Sequence, residues 1–282
     1  MEKGKLEKDR SKCKPFLRWA GGKKWLIPFI SGLIKDIEIN HYHEPFLGGG
    51  SIFFSLDTKK KSYLSDINIE LIQTYIQVRD NPQAVIEKLS MYENTEESYY
   101  KIREKKPESD IETAARFIYL NKTSYNGLYR VNRNGEYNVP YGYRKNVDFS
   151  SNQIIEASKK LQKSNIKTGS FDVNKYIIQP NDLFFLDPPY AVSTDQNSFI
   201  GYNAELFSVE KQHELKDFVD YIDKKGAFFI LTNAYHRTIK DIFNTENTRC
   251  MELSRNSLIG GRAAMRGKVS EYLFTNIRGV EE

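Results

Sequence analysis

Several short runs in this chain are apolar at almost every position, and each is followed by a polar or glycine-rich stretch and then by residues of helical period. Leu183-Phe184-Phe185-Leu186 ends at Asp187, and Ala227-Phe228-Phe229-Ile230-Leu231-Thr232 follows a helical pattern near 209–223. Tyr63-Leu64-Ser65-Asp66 precedes Ile69, Leu71, Ile72, Tyr75 and Ile76, while His41-Tyr42-His43-Glu44-Pro45-Phe46 precedes glycines 48–50 and the apolar run Ile52-Phe53-Phe54. A short strand at Ile166-Lys167-Thr168, a helix near 151–163 and a last strand over Glu271-Tyr272-Leu273-Phe274-Thr275-Asn276 continue the series. Strands without a wet face must be covered on both sides, which for strands separated by helices means a mostly parallel sheet. The predicted class is α/β.

Between 81 and 122 the alternation stops. Ala84, Val85, Ile86 and Leu89, then Ala114, Ala115, Phe117, Ile118 and Leu120, are spaced as consecutive amphipathic helices with no strand signal. Residues 123–145 are rich in Gly, Asn and Tyr, and Asn134-Gly135 is a turn signal for a hairpin. Residues 81–149 read as an inserted recognition domain, and 1–80 with 150–282 as the domain that receives it.

The 282 residues carry 42 Lys and Arg against 37 Asp and Glu, net +5, an ordinary balance that excludes disorder as the main state. The average conceals a concentration: residues 1–24 are +6, 122–145 are +4 and 255–268 are +4, so the remainder carries −9. Positive charge confined to three segments suits a polyanionic partner, although by itself such a run is more often a solvated loop. Two distant cysteines, Cys13 and Cys250, exclude a disulfide framework and a cysteine-based zinc site, and no metal is expected. No stretch approaches the ~20 apolar residues of a membrane span, and no apolar leader follows Met1. The expectation is a cytoplasmic protein, monomeric or weakly dimeric.

Ligands of open α/β sheets bind beyond the carboxyl ends of the strands, and three predicted strand ends carry unusual residues. Glu44-Pro45-Phe46-Leu47-Gly48-Gly49-Gly50-Ser51 offers glycines that let a ligand approach the backbone closely, but it is neither a dinucleotide fingerprint nor a P-loop. Asp66, about twenty residues further on, can accept hydrogen bonds from ribose hydroxyls; a plain turn and a helix cap explain it equally well. Asp187-Pro188-Pro189-Tyr190 is far more specific. Its prolines remove two donors and stiffen the turn. A carboxylate and a proline carbonyl can then take both N–H groups of an exocyclic amine, while the tyrosine stacks on the attached ring.

In order along the chain, Phe16-Leu17-Arg18-Trp19-Ala20-Gly21-Gly22-Lys23, the glycine motif 44–51, Ser65-Asp66-Ile67-Asn68, Tyr125-Asn126-Gly127-Leu128-Tyr129-Arg130 with Asn138-Val139-Pro140-Tyr141-Gly142, and Asp187-Pro188-Pro189-Tyr190 resemble the Dam-type (alpha group) DNA adenine-N6 methyltransferases. The likeness extends over residues 16–276. It implies S-adenosylmethionine as methyl donor, double-stranded DNA as partner, and a Rossmann-like methyltransferase sheet with an inserted helical and hairpin target-recognition domain. Trp19, Lys23, Phe46, Gly48, Asp66 and Phe171 fall on the cofactor side of the family pattern, and Asp187 on both cofactor and target base. Read without the family, Trp19 is a core residue and Lys23 a surface one.

The resemblance also implies a flipped adenine, because a stacked base cannot reach a buried site. Asp187 and the Pro188 carbonyl would accept the N6 hydrogens, with Pro189 stiffening the turn and Tyr190 stacking on the ring. The N6 lone pair then attacks the sulfonium methyl directly, and alignment of the two substrates supplies much of the acceleration. Arg130 would pair bidentately with guanine, a contact worth roughly 1–3 kcal/mol of discrimination. Leu128 and Pro140 would pack on thymine methyls, and Tyr125 with Asn126 would fill the space left by the flipped base. Arg18 stands where close relatives carry Lys beside the first guanine.

GATC is the implied site. Tyr143-Arg144 reverses the Arg-Tyr of the family pattern, which puts in doubt any contact carried over to Arg144. Arg262, Arg266 and Lys268, in a basic stretch with Gly260-Gly261, are expected to close on phosphates, which positions without reading sequence. Methylation of cytosine N4 or of RNA, and a DNA-binding protein that acts only by occupying sites, stay open at this point. Asp rather than Ser at 187 leans toward adenine, and the intact motif 187–190 toward catalysis.

Overall fold

The expected alternation is present among residues 13–57, 60–190, 207–256 and 268–278, which the computed structural model describes. The first half holds α1 (Ile27–Leu33), β1 (Tyr42–Glu44), β2 (Ser62–Asp66), α2 (Ile69–Asp80), α3 (Pro82–Ser90), α4 (Glu96–Glu104) and α5 (Asp110–Thr123). The second holds α6 (Ser151–Leu161), β3 (Ser164–Thr168), β4 (Leu183–Leu186), α7 (Val209–Lys224), β5 (Phe228–Ala234), α8 (Arg237–Phe243), β6 (Arg249–Asn256) and β7 (Lys268–Thr275). Helix starts follow local chemistry. Side chains of Asn68, Thr95, Ser109, Ser150 and Ser208 each accept a first-turn backbone N–H, and Pro82 opens α3. Among the described residues no helix is long and apolar enough to cross a membrane.

The strands form a seven-stranded sheet in the order β3-β2-β1-β4-β5-β7-β6. β1 pairs with β4, and β4 with β5, in parallel; β7 runs antiparallel to both β5 and β6. The first five positions repeat the doubly wound nucleotide-binding order, whose direction of winding reverses between β1 and β4. At the amino ends of these two strands the fully buried Asp182 carboxylate is bonded to His41 Nδ1 at 3.0 Å and to His43 Nε2 at 2.9 Å. That bridge fixes where β4 starts beside β1.

The chain divides into two compact units. One comprises residues up to Ile30, Leu47–Lys59 and Leu64–Gly169. Its core is made by α2, α3, α5 and α6, with Leu71, Ile72, Tyr75, Val85, Leu89, Phe117 and Ile118 buried. The expected recognition segment 81–149 lies whole within it. The other unit comprises Ser31–Phe46, Lys60–Tyr63 and the chain from Ser170 onward. There Phe184, Leu186, Phe229, Leu231 and Phe274 of the sheet pack on Leu215, Phe218, Val219 and Ile222 of α7.

One local expectation needs correction, and two elements arise without a sequence signal. The run Ile52-Phe53-Phe54 suggests a helix start, but 51–56 is a series of turns, with Phe54 N–H donating to the Gly50 carbonyl and Leu56 N–H to that of Ile52. Ile52, Phe53, Phe54 and Leu56 are all buried and only Ser51 and Ser55 are partly exposed, so the segment lacks the polar stripe along which an amphipathic helix would extend. Those two elements are β6 and α8. β6 is an edge strand with mixed polarity, Arg249-Cys250-Met251-Glu252-Leu253-Ser254, and it is recruited by pairing with β7.

Candidate functional site

His43 of β1 pairs with Phe184 of β4, so the chain leaving β1 toward Phe46 and the chain leaving β4 at Asp187 depart side by side at the point where the sheet order reverses. Asp187 and Tyr190 are half-buried, Pro188 is buried and Pro189 exposed. Thr232, near the end of β5, donates its hydroxyl to Asp187 Oδ1 at 2.7 Å and so fixes the carboxylate. The Tyr190 phenol donates to Glu271 Oε2 of β7 at 2.8 Å. Burial, with the Asp187 and Glu271 carboxylates beside it, holds the phenol well above the usual tyrosine pKa, so it remains a donor. Phe46 and Phe171 stack with centroids 5.9 Å apart, and Phe207 meets both edge-on at 5.8 and 6.2 Å. This end of the sheet therefore combines anchored acceptors with an aromatic wall.

The other unit carries Leu47–Ser51 of the glycine motif and Asp66. Asp66 Oδ2 accepts the Gly48 N–H at 2.9 Å and Oδ1 the Asn68 N–H at 3.0 Å. Burial raises its pKa, opposed by these backbone donors. Tyr75 donates its hydroxyl to the Gly48 carbonyl at 3.0 Å. Close approach to the glycines is made by Trp19: a Cβ on Gly48, whose φ is +45°, would lie 2.7 Å from the indole Nε1, and one on Gly49 2.7 Å from Trp19 Cβ. The indole also stacks on Tyr129 at 5.7 Å and on Phe117 at 6.5 Å. Lys23 is not the surface residue its charge suggests. It is 3% exposed, and its backbone N–H donates to Ser51 Oγ at 3.1 Å.

The same unit presents the expected base-reading residues. The fully buried Asn121 of α5 takes the Arg18 N–H on Oδ1 at 2.8 Å and returns an N–H to the Arg18 carbonyl at 2.7 Å. Arg18 thereby lies over the Tyr125–Gly127 turn, and a Cβ on Gly127 would meet its Cβ and Cδ at 3.0 Å. Tyr125 N–H donates to the Pro140 carbonyl at 2.9 Å, and Asn138 N–H to that of Arg130 at 3.0 Å. The hairpin is closed at Gly135, whose N–H donates to the Asn132 carbonyl at 3.0 Å. The Arg130 guanidinium is held by Asn138, with Nε donating to Oδ1 at 2.8 Å. Arg18, Tyr125, Asn126, Arg130 and Pro140 are exposed and Leu128 is half-buried. Arg144 offers its carbonyl to Asn94 at 2.8 Å.

Residues 19–256 match the model of the D12 class N6 adenine-specific DNA methyltransferases. The chain belongs to this family. It is 36% identical over 282 residues to the Type II methyltransferase M1.LlaDCHI of Lactococcus lactis subsp. cremoris, covering 96% of this chain and 98% of that one. It is 38% identical over 245 residues to the Type II methyltransferase M.MjaIII of Methanocaldococcus jannaschii, covering 79% and 85%. The DNA adenine methylase of Escherichia coli (strain K12) is 29% identical over 275 residues, covering 95% and 97%. Family membership selects adenine N6 of DNA over cytosine N4, RNA or mere site occupation, and makes the chain an S-adenosylmethionine-dependent enzyme.

In this methyltransferase the predicted residues fall into three sets: Phe46, Phe171 and 187–190; Trp19, Lys23, Gly48 and Asp66; and Arg18 with the turn and hairpin residues. Arg262 and Arg266 lie outside the described residues, and Lys268 is described only as the backbone that opens β7 opposite Asn256. Sequence reasoning missed Asn121, Asn138, Thr232 and Glu271. Asn121 leaves a trace, since a poor helix former after Ile118-Tyr119-Leu120 on a buried face calls for a backbone partner. Glu271 leaves another, as a charge immediately before the apolar run Tyr272-Leu273-Phe274.

Proposed function

We propose that this enzyme methylates a flipped adenine within GATC in duplex DNA, with 187–190 as its catalytic residues. The observation that carries this is the anchored Asp187 beyond β4, at the reversal point of the sheet, followed by two prolines and Tyr190. In this reading the Asp187 carboxylate and the Pro188 carbonyl accept the two N6 hydrogens and draw the nitrogen toward tetrahedral geometry. Pro189 keeps the turn rigid, and Tyr190 stacks on the extruded ring. Thr232 keeps Asp187 in one orientation, so little reorganisation precedes transfer.

The residues present suit S-adenosylmethionine. An apolar pair, Phe46 and Phe171, suits an adenine ring, and an ionised carboxylate has about four lone-pair sites, so Asp66 can serve a ribose hydroxyl beyond the backbone N–H groups of Gly48, Ile67 and Asn68. When bound, the cofactor supplies an electrophilic sulfonium methyl. Trp19, Lys23 and Gly48 complete its binding residues in this reading, with Trp19 and Gly48 acting chiefly by shaping the loop that Asp66 holds.

Segment 81–149 is assigned to target recognition, and 1–80 with 150–282 to catalysis. The order of cofactor motif, recognition segment and Asp-Pro-Pro-Tyr supports the Dam-type alpha group. The Asn138 bond that holds Arg130 supports its role as the reader of one guanine, and in this reading Arg18 meets the neighbouring guanine. Leu128 and Pro140 would meet thymine methyls, Tyr125 and Asn126 the vacated stack, and Arg262, Arg266 and Lys268 phosphates. Methyl transfer to duplexes with single changes in GATC tests the assignment. The enzyme should reject altered sites, and Arg130→Ala should lose about 10- to 100-fold of its discrimination at one guanine. Equal methylation of altered sites by the parent enzyme would refute GATC, and unchanged discrimination by the variant would refute the role of Arg130.

A further inference from the structure

The recognised motif stops at Tyr190, but the hydrogen bond that orients this ring comes from a strand about eighty residues away in sequence, Glu271 of β7. We infer that Glu271 is a positioning residue of the adenine site, whose carboxylate holds the Tyr190 ring in the plane needed to stack on the target base. The inference rests on the reading of Tyr190 as the stacking residue.

Three observations support it. Glu271 is 2% exposed. A buried carboxylate is costly and an apolar residue of similar volume would serve packing better, so its presence here within β7, opposite the end of β5, favours a functional use. Its location is also specific. Glu271 pairs with Ala234 at the end of β5, and Thr232 of the same strand end anchors Asp187. Adjacent strands β5 and β7 thus supply one anchor to each end of the Asp-Pro-Pro-Tyr turn, Thr232 to its carboxylate and Glu271 to its phenol. Lastly, the Tyr190 ring packs against the same core cluster as Phe46 and Phe171. Packing restrains the ring body, the prolines restrain its entry, and the bond at the hydroxyl restrains rotation of the far end. Burial, then the neighbouring Asp187 and Glu271 carboxylates, raises the phenol pKa well above the ordinary value, which keeps the hydroxyl a donor.

The test measures single-turnover methyl transfer to a GATC duplex, S-adenosylmethionine affinity, and the fluorescence of 2-aminopurine placed at the target adenine. Tyr190→Phe and Glu271→Ala should each slow transfer about 10- to 100-fold, the range for loss of a hydrogen bond to a charged group. Cofactor affinity should be unchanged and 2-aminopurine should become brighter as stacking loosens. The double variant should be no slower than either single one. Glu271→Gln, whose amide oxygen still accepts, should recover most of the rate. Multiplying effects in the double variant, or wild-type rates in Tyr190→Phe, would overturn the inference. Tyr190→Phe breaks the same bond from the other end, so the test stands even where Glu271→Ala fails to fold. Tyr190→Ala separates the two levels: a wild-type rate there refutes stacking itself, whereas a large loss beside a normal Glu271→Ala refutes only the role of Glu271.

Discussion

Adding a single methyl group at Gly48 should disable the cofactor loop. The residue has φ +45°, and its added Cβ would lie 2.7 and 2.8 Å from Trp19 Nε1 and Cδ1. Left-handed backbone costs a residue with a Cβ roughly 1–2 kcal/mol. Carbon contacts are optimal near ~3.5–4.0 Å, so the indole must retreat by about 1 Å. That retreat disturbs its stacking on Tyr129 and Phe117, each pair worth about 0.5–1.5 kcal/mol beyond area. Together the terms amount to roughly 2–5 kcal/mol.

The strain falls on the segment whose N–H Asp66 holds. Gly48→Ala should therefore weaken S-adenosylmethionine binding in calorimetry by at least about tenfold and lower the melting temperature by several degrees. Gly32→Ala is the matched control, because it lies in α1 with nothing within 4 Å of its added Cβ. There alanine should be neutral or stabilise by roughly 0.5–1 kcal/mol. Equal behaviour of the two variants would refute the assignment of the glycine to the Trp19 contact.

Two further perturbations address other links. Asn121→Asp keeps the acceptor for the Arg18 N–H but turns the donor to the Arg18 carbonyl into a second acceptor; it should destabilise the fold by about 2–4 kcal/mol and reduce discrimination at the guanine assigned to Arg18, and a neutral result in both assays would contradict the clamp. Glu112, fixed by the Glu108 N–H, then by Lys105 and Lys88, has its pKa lowered from 4.5 to about 2. Because the folded value lies below the unfolded one, its contribution is complete above pH 4.5 and disappears as the pH falls toward 2. Glu112→Gln should cost roughly 1–2 kcal/mol at neutral pH, discounted for the exposed Lys105, and flatten the loss of stability in melts between about pH 5 and 2. An unchanged acid profile would show that the carboxylate is not so held.

The sheet was legible in the sequence where burial on both faces forces continuous apolar runs: β4 and β5 follow from Leu183-Phe184-Phe185-Leu186 and Phe228-Phe229-Ile230-Leu231 alone. It was illegible where tertiary pairing decides, as in β6, an edge strand of mixed polarity that exists because β7 offers a partner. The site divides in the same way. Asp187 and Tyr190 stand out because two prolines and a charge after a buried strand are chemically odd, whereas Thr232 and Glu271 are ordinary residues made important by strand order, which brings β5 and β7 to the end of β4. Glycines 48 and 49 were legible as a close approach but not by what, since the partner, Trp19, lies in another motif. The burial of Lys23 is not legible without the family, because a charged residue carries no local sign that it will be buried.

The central claim, methyl transfer to adenine N6 through Asp187, is tested most directly by mapping modified bases in DNA from cells expressing the chain, beside cells expressing Asp187→Ala. N6-methyladenine at GATC with the parent chain, and none with a variant that still binds DNA, is the predicted result. Methylation of another base or an unrelated site, or adenine methylation that survives Asp187→Ala, would contradict the account.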